Sequence, residues 1–344
     1  MRARATALAV MATAALGVGA TAAGAAGPPP PPTAPGGQTV AQVAAGLQTP
    51  TSFAFGAGKV FEGDGGSESS KVPNGGVYLL TGGAGVKLAG SPQFVSGLAW
   101  HQNALYIAGG TITKKGVAWQ IQRWSGFNGT KFAKRTAIWT APKGFAGTNG
   151  IAFAPNGRLF LGVDVGLTNN NDHGPAKTPY VYDILSMKAN GSGVKIFATG
   201  MRQPWQMAFA KGSNAPYVSD LGQDKGAKNP PDFVLQVHQG DNYGFPKCNW
   251  TKGSPCKGYT KPLKLFAPHT DIMGMVIIGS RLYMTSFAGP SGKGPGGEVL
   301  SMSLHGGPVT TVVTGFVAPT VGLGTDGHSL YIGELTGQIF KVTP

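Results

Sequence analysis

GVKIFATGMRQPWQMAF, residues 193–209, decides the predicted fold, because its skeleton occurs three times in the chain. TVAQVAAGLQTPTSFAF (39–55) and PVTTVVTGFVAPTVGLG (308–324) align with it without gaps. Each copy has a short run of β-forming residues, a Gly, a Pro four residues later and a second apolar run. Only the middle copy places an Arg, Arg202, between the Gly and the Pro. The skeleton therefore indicates a structural repeat, and Arg202 distinguishes one copy.

Shorter relatives of the second apolar run extend the repeat to the rest of the chain. Each reads as a strand, a turn and another strand, and they cover residues 94–109, 148–163 and 271–286. The six units begin near residues 52, 96, 150, 205, 273 and 320, about 45–70 residues apart. β units repeated at such intervals are typical of a β-propeller, whose small sheets bury their faces only when the ring closes.

We therefore predict an all-β, six-bladed β-propeller over residues 38–344. The segment TVAQVAAG (39–46) resembles the outer strand that precedes the other units, so we expect it to pair with the last blade and close the ring. A β-sandwich or two stacked domains is the alternative, and it accounts less well for the near-even repeat. The 56 Gly residues agree with many short strands joined by tight turns.

The first 37 residues are predicted to lie outside the propeller. Residues 1–26 carry two Arg, an Ala-rich apolar run and then small residues, which is the pattern of a signal peptide; a membrane anchor is the alternative. The Pro-rich segment 27–37 is expected to be an extended, solvated linker. We therefore predict a secreted, extracytoplasmic protein with no integral membrane segment after signal removal.

The formal charge of +14 suits anionic partners such as a cell-wall polymer, a membrane surface or an acidic ligand. Lys and Arg are scattered without a dense basic run, so nucleic acid is not an expected partner. Solubility is the alternative use of this charge. The composition therefore leaves an anionic surface partner open without identifying it.

Cys248 and Cys256, the two cysteines of the chain, lie in one short loop. In an exported protein this spacing favours a local disulfide, which would stabilise the fold by about 2–3 kcal/mol. A two-cysteine metal site is the alternative, but no His lies at ligand spacing beside them.

Long polar loops indicate where function is expected. In a propeller, the loops that lead into the inner strands and those that join the second and third strands lie on one face, over the central channel. The long loops predicted on that face are residues 63–76, 164–179, 219–232 and 286–297. A site is therefore expected among them.

Several stretches resemble the glucose/sorbosone dehydrogenase family, whose members are exported six-bladed propellers that use pyrroloquinoline quinone (PQQ) and calcium. The family run G-x-R-N-P-x-G-x-A-F is matched by Gly200, Arg202, Pro204, Ala208 and Phe209. The family run P-D-E…G-x-N-Y-G-W-P is matched by Pro231, Asp232, Gly240, Asn242, Tyr243, Gly244 and Pro246. HTDIMGMVI (269–277) is similar to the family's segment that enters the fifth blade. The resemblance covers residues 147–280 well and the remainder loosely.

The resemblance implies a PQQ- and Ca²⁺-dependent dehydrogenase for aldose- or sorbosone-type sugars. Arg202 occupies the position of the Arg that faces the quinone, and we expect it to be exposed in the mouth of the channel. Gln203 replaces the usual Asn, and Trp205 is a ring that can stack on the cofactor or pack in the core. Lys293 is the candidate cation for the cofactor's carboxylates.

The family's catalytic base, a His before the strand that here reads NGIAF, is missing. His173 and His269 lie on the predicted functional face and are the candidate replacements; a surface or hydrogen-bonded role is the alternative for each. Asp164 is expected to form a turn. Calcium binds several oxygen atoms, and the candidate ligands are Asp220, Gln223 and Asp224.

Two functions from different classes follow. The first is an exported PQQ-dependent sugar dehydrogenase-like oxidoreductase. The second is a non-catalytic secreted propeller that binds a glycan, a cell-wall polymer or a protein through the same face, and the missing His favours it. A metal-dependent lactonase is weaker, because the required acidic metal-binding set is not evident in the sequence.

Overall fold

The computed structural model describes residues 30–66, 74–166, 178–223, 229–288 and 296–344. Within these ranges the chain forms β-strands and no helix, and the strands assemble into six four-stranded antiparallel sheets. The all-β, six-bladed prediction is confirmed. Nowhere in the described ranges is there a helix with the length and apolar character needed to cross a bilayer. The predicted signal peptide lies outside the described residues.

Each sheet forms one blade, numbered in chain order. Blade 1 contains β2 (Pro50–Gly56), β3 (Lys59–Asp64), β4 (Gly76–Thr81) and β5 (Ala84–Lys87). Blade 2 contains β6 (Phe94–His101), β7 (Ala104–Thr113), β8 (Gly116–Phe127) and β9 (Phe132–Thr140). Blade 3 contains β10 (Thr148–Phe153), β11 (Leu159–Val163), β12 (Ile184–Met187) and β13 (Lys195–Ala198).

The second half of the ring follows the same order. Blade 4 contains β14 (Pro204–Phe209), β15 (Pro216–Asp220), β16 (Asp232–Gln236) and β17 (Lys264–Phe266). Blade 5 contains β18 (Ile272–Ile278), β19 (Arg281–Ser286), β20 (Glu298–Ser303) and β21 (Gly306–Val313). Blade 6 contains β22 (Thr320–Thr325), β23 (Leu330–Glu334), β24 (Ile339–Val342) and, from the other end of the chain, β1 (Ala41–Ala44).

The pairing of β1 with β24 is antiparallel and sets Ala41 opposite Lys341. The last blade is thus built from both ends of the described chain. Side chains also pack across the junction between blades 6 and 1, where the rings of Phe55 and Tyr331 lie 5.0 Å apart. The ring is therefore closed by backbone pairing and by apolar packing.

Part of the Pro-rich segment is docked rather than solvated. Thr33 exchanges two backbone hydrogen bonds with Thr314, of 2.8 and 2.9 Å, just beyond the end of β21. Ala34 is buried in the apolar cluster that contains Phe316. The expectation of an extended, solvated linker is wrong for these residues, because the outer strand of blade 5 leaves a free edge with which they can pair.

We call the end of the ring at which the inner strands begin the upper face. The opposite end, which carries the turns between first and second strands, is the lower face. The six inner strands enclose a channel of about 320 Å³. Near the upper end Gln206 crosses from blade 4 to blade 2, where its Nε2 donates to the carbonyl of Ser96 (3.1 Å). The channel is therefore constricted below the predicted functional face.

Inner strands of neighbouring blades approach to backbone contact. The register of each inner strand shifts by a bulge close to its upper end, as between Val95 and Gly97 in blade 2. A Cβ atom on Gly97 would lie 2.7 Å from the amide nitrogen of Ile151 in blade 3. A Cβ atom on Gly322 would lie 2.5 Å from the carbonyl of Pro50. Glycine is required there because a neighbouring backbone occupies the space.

Gly97→Ala tests this close approach. We expect the free energy of unfolding to fall by about 1–3 kcal/mol, because the added methyl group meets backbone that cannot rotate away. Denaturant unfolding measures the change. Lys134→Ala, on the exposed outer strand of the same blade, is the control and should shift stability by no more than about 0.5 kcal/mol. Equal stability of the two variants would contradict the prediction.

Candidate functional site

One buried carboxylate holds the loop that leads into β14. Asp220, at the end of β15, accepts the backbone N–H of Gln203 at Oδ1 (2.6 Å) and that of Arg202 at Oδ2 (3.2 Å). Burial raises the pKa of Asp220 to about 7, while these hydrogen bonds and the charge of Arg202 oppose the rise. Both oxygens of this candidate calcium ligand are therefore engaged by the backbone of its own blade.

The same contact recurs in two blades that have no Arg. Asp64, at the end of β3, accepts the amides of Gln48 (2.7 Å) and Thr49 (3.1 Å). Glu334, at the end of β23, accepts the amide of Ala318 (2.8 Å). These amides occupy the places of Arg202 and Gln203 in the repeat. The acidic cap is thus a structural device that fixes the leading loops of several blades.

The side chain of Arg202 is buried, with 2% of its surface exposed. Its Nη1 donates to the carbonyl of Gly222 (2.6 Å) and lies 3.3 Å from both the carbonyl of Leu221 and Oε1 of Gln203. The expectation that Arg202 is exposed in the channel mouth is wrong. The carbonyls that follow β15 lie within reach of the guanidinium and hold it against the blade.

Gln203 joins this loop to the neighbouring blade. Its Nε2 donates to Oδ2 of Asp164, the residue that follows β11 in blade 3, at 3.3 Å. The other oxygen of Asp164 accepts the amide of Gly166, so the predicted turn role is observed. Burial raises the pKa of Asp164, opposed by that amide and by Arg202 and Gln203. Arg202, Gln203 and Asp164 therefore form one polar cluster across blades 3 and 4.

Trp205 packs beside this cluster, near the start of the inner strand of blade 4. It is 6% exposed and lies in one apolar group with Leu221, Met273 and Val321. Trp205, Met273 and Val321 sit at the bulges of three successive inner strands, which brings them together at the upper end of the channel. The Nε1 of Trp205 is buried and has no hydrogen-bond partner in the described part of the chain. A buried donor without an acceptor lowers the stability of the fold, which makes Trp205 a candidate for contact with a ligand.

His269 lies on an exposed turn that contacts the side chain of Asn229. His269 and Asp271 both have positive φ angles, of 63° and 46°. Two such non-glycine residues within three positions represent local backbone strain, which is concentrated at functional sites in many proteins. The sequence did not predict this feature.

Asp232 fastens that turn to the loop that holds Arg202. Its Oδ1 accepts the amide of Gly222 (2.7 Å) and its Oδ2 accepts the amide of Asp271 (2.9 Å). Burial raises the pKa of Asp232, and the nearby charge of Asp271 raises it further. The carbonyl of Gly222 also accepts a hydrogen bond from Arg202. The turn of His269 and the loop of Arg202 are therefore linked through Asp232 and Gly222.

The remaining candidates do not complete a metal site. Gln223 is buried, at 3% exposure. His173, Asp224 and Lys293 lie outside the described residues. Across the described ranges, no group of three or more His, Cys, Asp or Glu side chains is arranged to hold a metal ion.

The predicted disulfide between Cys248 and Cys256 is present. The segment before it runs beside the leading loop of blade 4, where the amide of Phe245 donates to the carbonyl of Gly200 (3.0 Å). Gly200 has a φ of 78°, and a Cβ atom there would lie 2.4 Å from Oδ1 of Asn242. The shared Gly of the repeat is thus required in this copy by its conformation and by its neighbour.

Blade 1 contains a buried acid, Glu62, that the sequence did not predict as a special position. Its side chain is fully buried and neither carboxylate oxygen has a hydrogen-bond partner within the described residues. Burial raises its pKa well above the ordinary value of 4.5, and the nearby charge of Asp64 raises it further. The short strand KVFEGD carries Glu62 two residues before the capping Asp64, but this local pattern does not distinguish a buried Glu from an exposed one.

Comparisons with known proteins agree with the fold and with the resemblance. No family model matches the chain. Aldose sugar dehydrogenase YliI of Escherichia coli (strain K12) is 27% identical over 180 residues, which are 46% of each chain. The match thus spans just under half the length of this relative. The chain resembles a sugar dehydrogenase.

Solved structures show how widely this fold is used. The soluble aldose sugar dehydrogenase of Escherichia coli in its apo form has a TM-score of 0.66 and 17% identity, covering 89% of this chain and 99% of that one. A carbohydrate-active enzyme of family AA12 from Trichoderma reesei has a TM-score of 0.70 and 15% identity, covering 92% and 98%. A gluconolactonase from Xanthomonas campestris has a TM-score of 0.59 and 14% identity, covering 92% and 95%. These likenesses show the fold alone.

Glu62→Gln tests the buried acid. Above about pH 4.5 an unfolded Glu loses its proton, whereas the raised pKa keeps folded Glu62 protonated, so the free energy of unfolding falls as the pH rises. The Gln variant has no such loss. We therefore expect it to match the unmodified protein near pH 4 and to be the more stable of the two near pH 7, as measured by unfolding at several pH values.

Asp326→Asn is the control for this measurement. The pKa of Asp326 is lowered: burial opposes the shift, and hydrogen bonds from the amides of Ser329 and His328 produce it. Its titration is therefore complete below pH 5, and the variant should keep the unmodified slope above that pH. If Glu62→Gln also leaves that slope unchanged, Glu62 is not the group responsible.

Proposed function

We propose that the chain is an extracytoplasmic, PQQ-dependent dehydrogenase that oxidises a small aldose- or sorbosone-type sugar. The observation that carries the proposal is the cluster of Arg202, Gln203 and Asp164 beside Trp205 at the upper end of the channel. Polar groups that converge beside an apolar surface are what an orienting site for a planar cofactor requires. The sequence likeness to an aldose sugar dehydrogenase and the disulfide support the same assignment.

The described residues fit a quinone in two respects. The indole of Trp205 is the aromatic ring next to Arg202 and Gln203 in the chain, and its buried N–H has no acceptor within the described residues, which a cofactor oxygen would supply. Arg202 supplies the positive charge that favours bound carboxylate or quinone oxygens. When bound, PQQ would provide the two-electron acceptor that no side chain can provide.

Asp164 is the residue suited to move the proton. Oxidation of an alcohol carbon requires a base for the hydroxyl proton. Asp164 is only partly buried, in contrast to Arg202 and Gln203. Burial of its carboxylate raises its pKa, which makes it a stronger base than an ordinary Asp. Gln203 would orient Asp164 through the hydrogen bond to Oδ2.

The described residues do not fit a calcium ion held by carboxylates. Both oxygens of Asp220 accept backbone amides, and so do both oxygens of Asp232. We therefore derive no step through calcium, and the experiment below includes it as a separate variable.

One observation favours a non-catalytic alternative. The position before the NGIAF strand holds Thr148, so the base usual in the family is missing, and the guanidinium of Arg202 already donates to backbone carbonyls. A propeller of this kind would bind a glycan or a cell-wall polymer on its upper face without a cofactor.

Reconstitution distinguishes the two functions. We expect the protein to bind PQQ, seen as a shifted quinone absorption and a mass increment, and then to reduce a dye when supplied with one member of an aldose panel. Asp164→Asn should keep the bound quinone and lose about 10²–10⁴-fold in turnover, because only proton transfer is removed. Samples with and without Ca²⁺ show whether the ion is needed.

Arg202→Lys should weaken PQQ binding by about 10-fold or more, since a hydrogen-bonded charge is replaced by a point charge of different reach. Val317→Ala is the matched control, because Val317 holds the position of Arg202 in the blade 6 copy and is exposed. A PQQ concentration of about 50 µM is well above a micromolar dissociation constant, so no binding at that concentration would contradict the dehydrogenase proposal. Glycan binding that survives Arg202→Lys and needs no cofactor would establish the alternative.

A further inference from the structure

The lower face carries cations at one repeated position. Lys59, Arg158 and Arg281 each stand at the start of the second strand of their blade, immediately after the turn from the inner strand. They belong to blades 1, 3 and 5, so the three cations alternate around the ring. Such spacing distributes positive charge over the whole lower face rather than along one groove.

These cations are positioned without carboxylate partners. The Nη2 of Arg158 donates to Oγ of Ser186 (3.1 Å), and the Nη2 of Arg281 donates to Oγ of Ser301 (2.7 Å). Both serines lie on the third strand of their blade, so the two contacts are equivalent. Neither Arg forms an ion pair within the described residues, and neither does Lys59. Their charge is therefore available to an external partner.

Further cations extend this surface, and acids are nearly missing from it. The additional cations near this end are Lys131, Lys188, Lys195, Lys211 and Lys264. The six turns between first and second strands all lie within the described residues and contain one acidic residue, Asp326, whose carboxylate is 3.6 Å from Lys341. The connection between the third and fourth strands of blade 4 adds Asp241, whose carboxylate is 3.4 Å from Nδ1 of His238. The lower face is thus strongly cationic.

Burial of the acids makes the surface more basic than the composition suggests. Asp64, Asp220 and Glu334 cap leading loops inside the blades, and Glu62 is fully buried. Among the described acidic residues, only Asp326 is exposed; the others are buried or half-buried. The basic groups of the chain are therefore carried outside, while many of its acidic groups lie inside.

Two exposed apolar side chains accompany the cations. Ile196, on the outer strand of blade 3, is 54% exposed and follows Lys195. Leu265, on the outer strand of blade 4, is 45% exposed and follows Lys264. Each is the second residue of a strand that starts at the lower end of its blade. Alternating basic and apolar groups suit the boundary between lipid headgroups and acyl chains.

We propose that the lower face docks on an anionic lipid bilayer and leaves the upper face, with the candidate site, open to solution. The cations lie on turns at one end of a ring, so a flat charged surface can contact several of them at once. A linear polyanion would be matched by a groove or a single stripe of cations. Attraction by an anionic leaflet amounts to about fivefold in affinity per Lys or Arg and is screened within a Debye length.

Vesicle sedimentation tests the proposal with the full-length protein. The vesicles contain either phosphatidylcholine alone or phosphatidylcholine with about 30% phosphatidylglycerol, an anionic fraction that gives a substantial surface potential. We expect binding to the anionic vesicles at low salt, loss of binding at about 0.5 M NaCl, and no binding to the neutral vesicles. Binding to both vesicle types alike overturns the proposal.

Two triple variants of equal net charge locate the surface. Lys59→Gln, Arg158→Gln and Arg281→Gln together should weaken anionic-vesicle binding by about 10-fold or more. Lys114→Gln, Lys115→Gln and Lys143→Gln, which lie on upper-face loops, should weaken it by less than about threefold, as expected for a distant screened charge. Equal losses in the two variants show an effect of net charge alone and overturn the proposal.

Two further measurements complete the experiment: binding of a soluble polyanion, and a test that each variant is folded. Soluble dextran sulfate that binds while anionic vesicles do not would show a linear polymer as the partner and overturn the lipid assignment. Thermal unfolding verifies that each variant is folded. Should the lower-face triple variant not fold, Lys59→Gln is compared with Lys114→Gln, and a greater loss of vesicle binding in Lys59→Gln is still required.

Discussion

Backbone contact between neighbouring inner strands is the constraint on which the structure depends. Six small sheets bury their faces only if they close into a ring, and the ring closes only if adjacent strands meet where no side chain fits. Gly97 and Gly322 provide that space at two junctions. The inner strands shift register by a bulge at the same end, and the bulge residues Trp205, Met273 and Val321 pack together there in one apolar group. Ring closure therefore also builds the apolar part of the candidate site.

Acid placement links folding to surface charge. A carboxylate that accepts two backbone amides, as Asp220 does, fixes a leading loop more firmly than a neutral group would. Asp64 and Glu334 also accept amides of leading loops, and their burial removes acidic groups from the surface. Because the chain has few acidic residues and several of them are buried as caps of leading loops, its exterior is basic. The basic exterior therefore needs no separate run of basic sequence.

The repeat predicted the fold because ring closure imposes the same Gly, Pro and apolar spacing on each copy. It predicted the position of Arg202 for the same reason, but not its burial. Whether a side chain is exposed depends on partners brought by another segment, here the carbonyls of Leu221 and Gly222. Glu62 was missed on similar grounds, since a Glu in a short strand has no local signal that separates a buried position from a surface one. The disulfide was predictable because both cysteines lie in one loop.

Burial determines how Arg202 can act on a ligand. An Arg that donates to carbonyls keeps its full charge but cannot move, so it would act on a ligand through a fixed electrostatic field. Gln203 is the group that transmits this arrangement across the blade boundary, because its amide touches both Arg202 and Asp164. Gln203 thus brings the carboxylate of the preceding blade into the same polar cluster as the guanidinium of Arg202, so that a charge held in blade 4 acts on an acid held in blade 3.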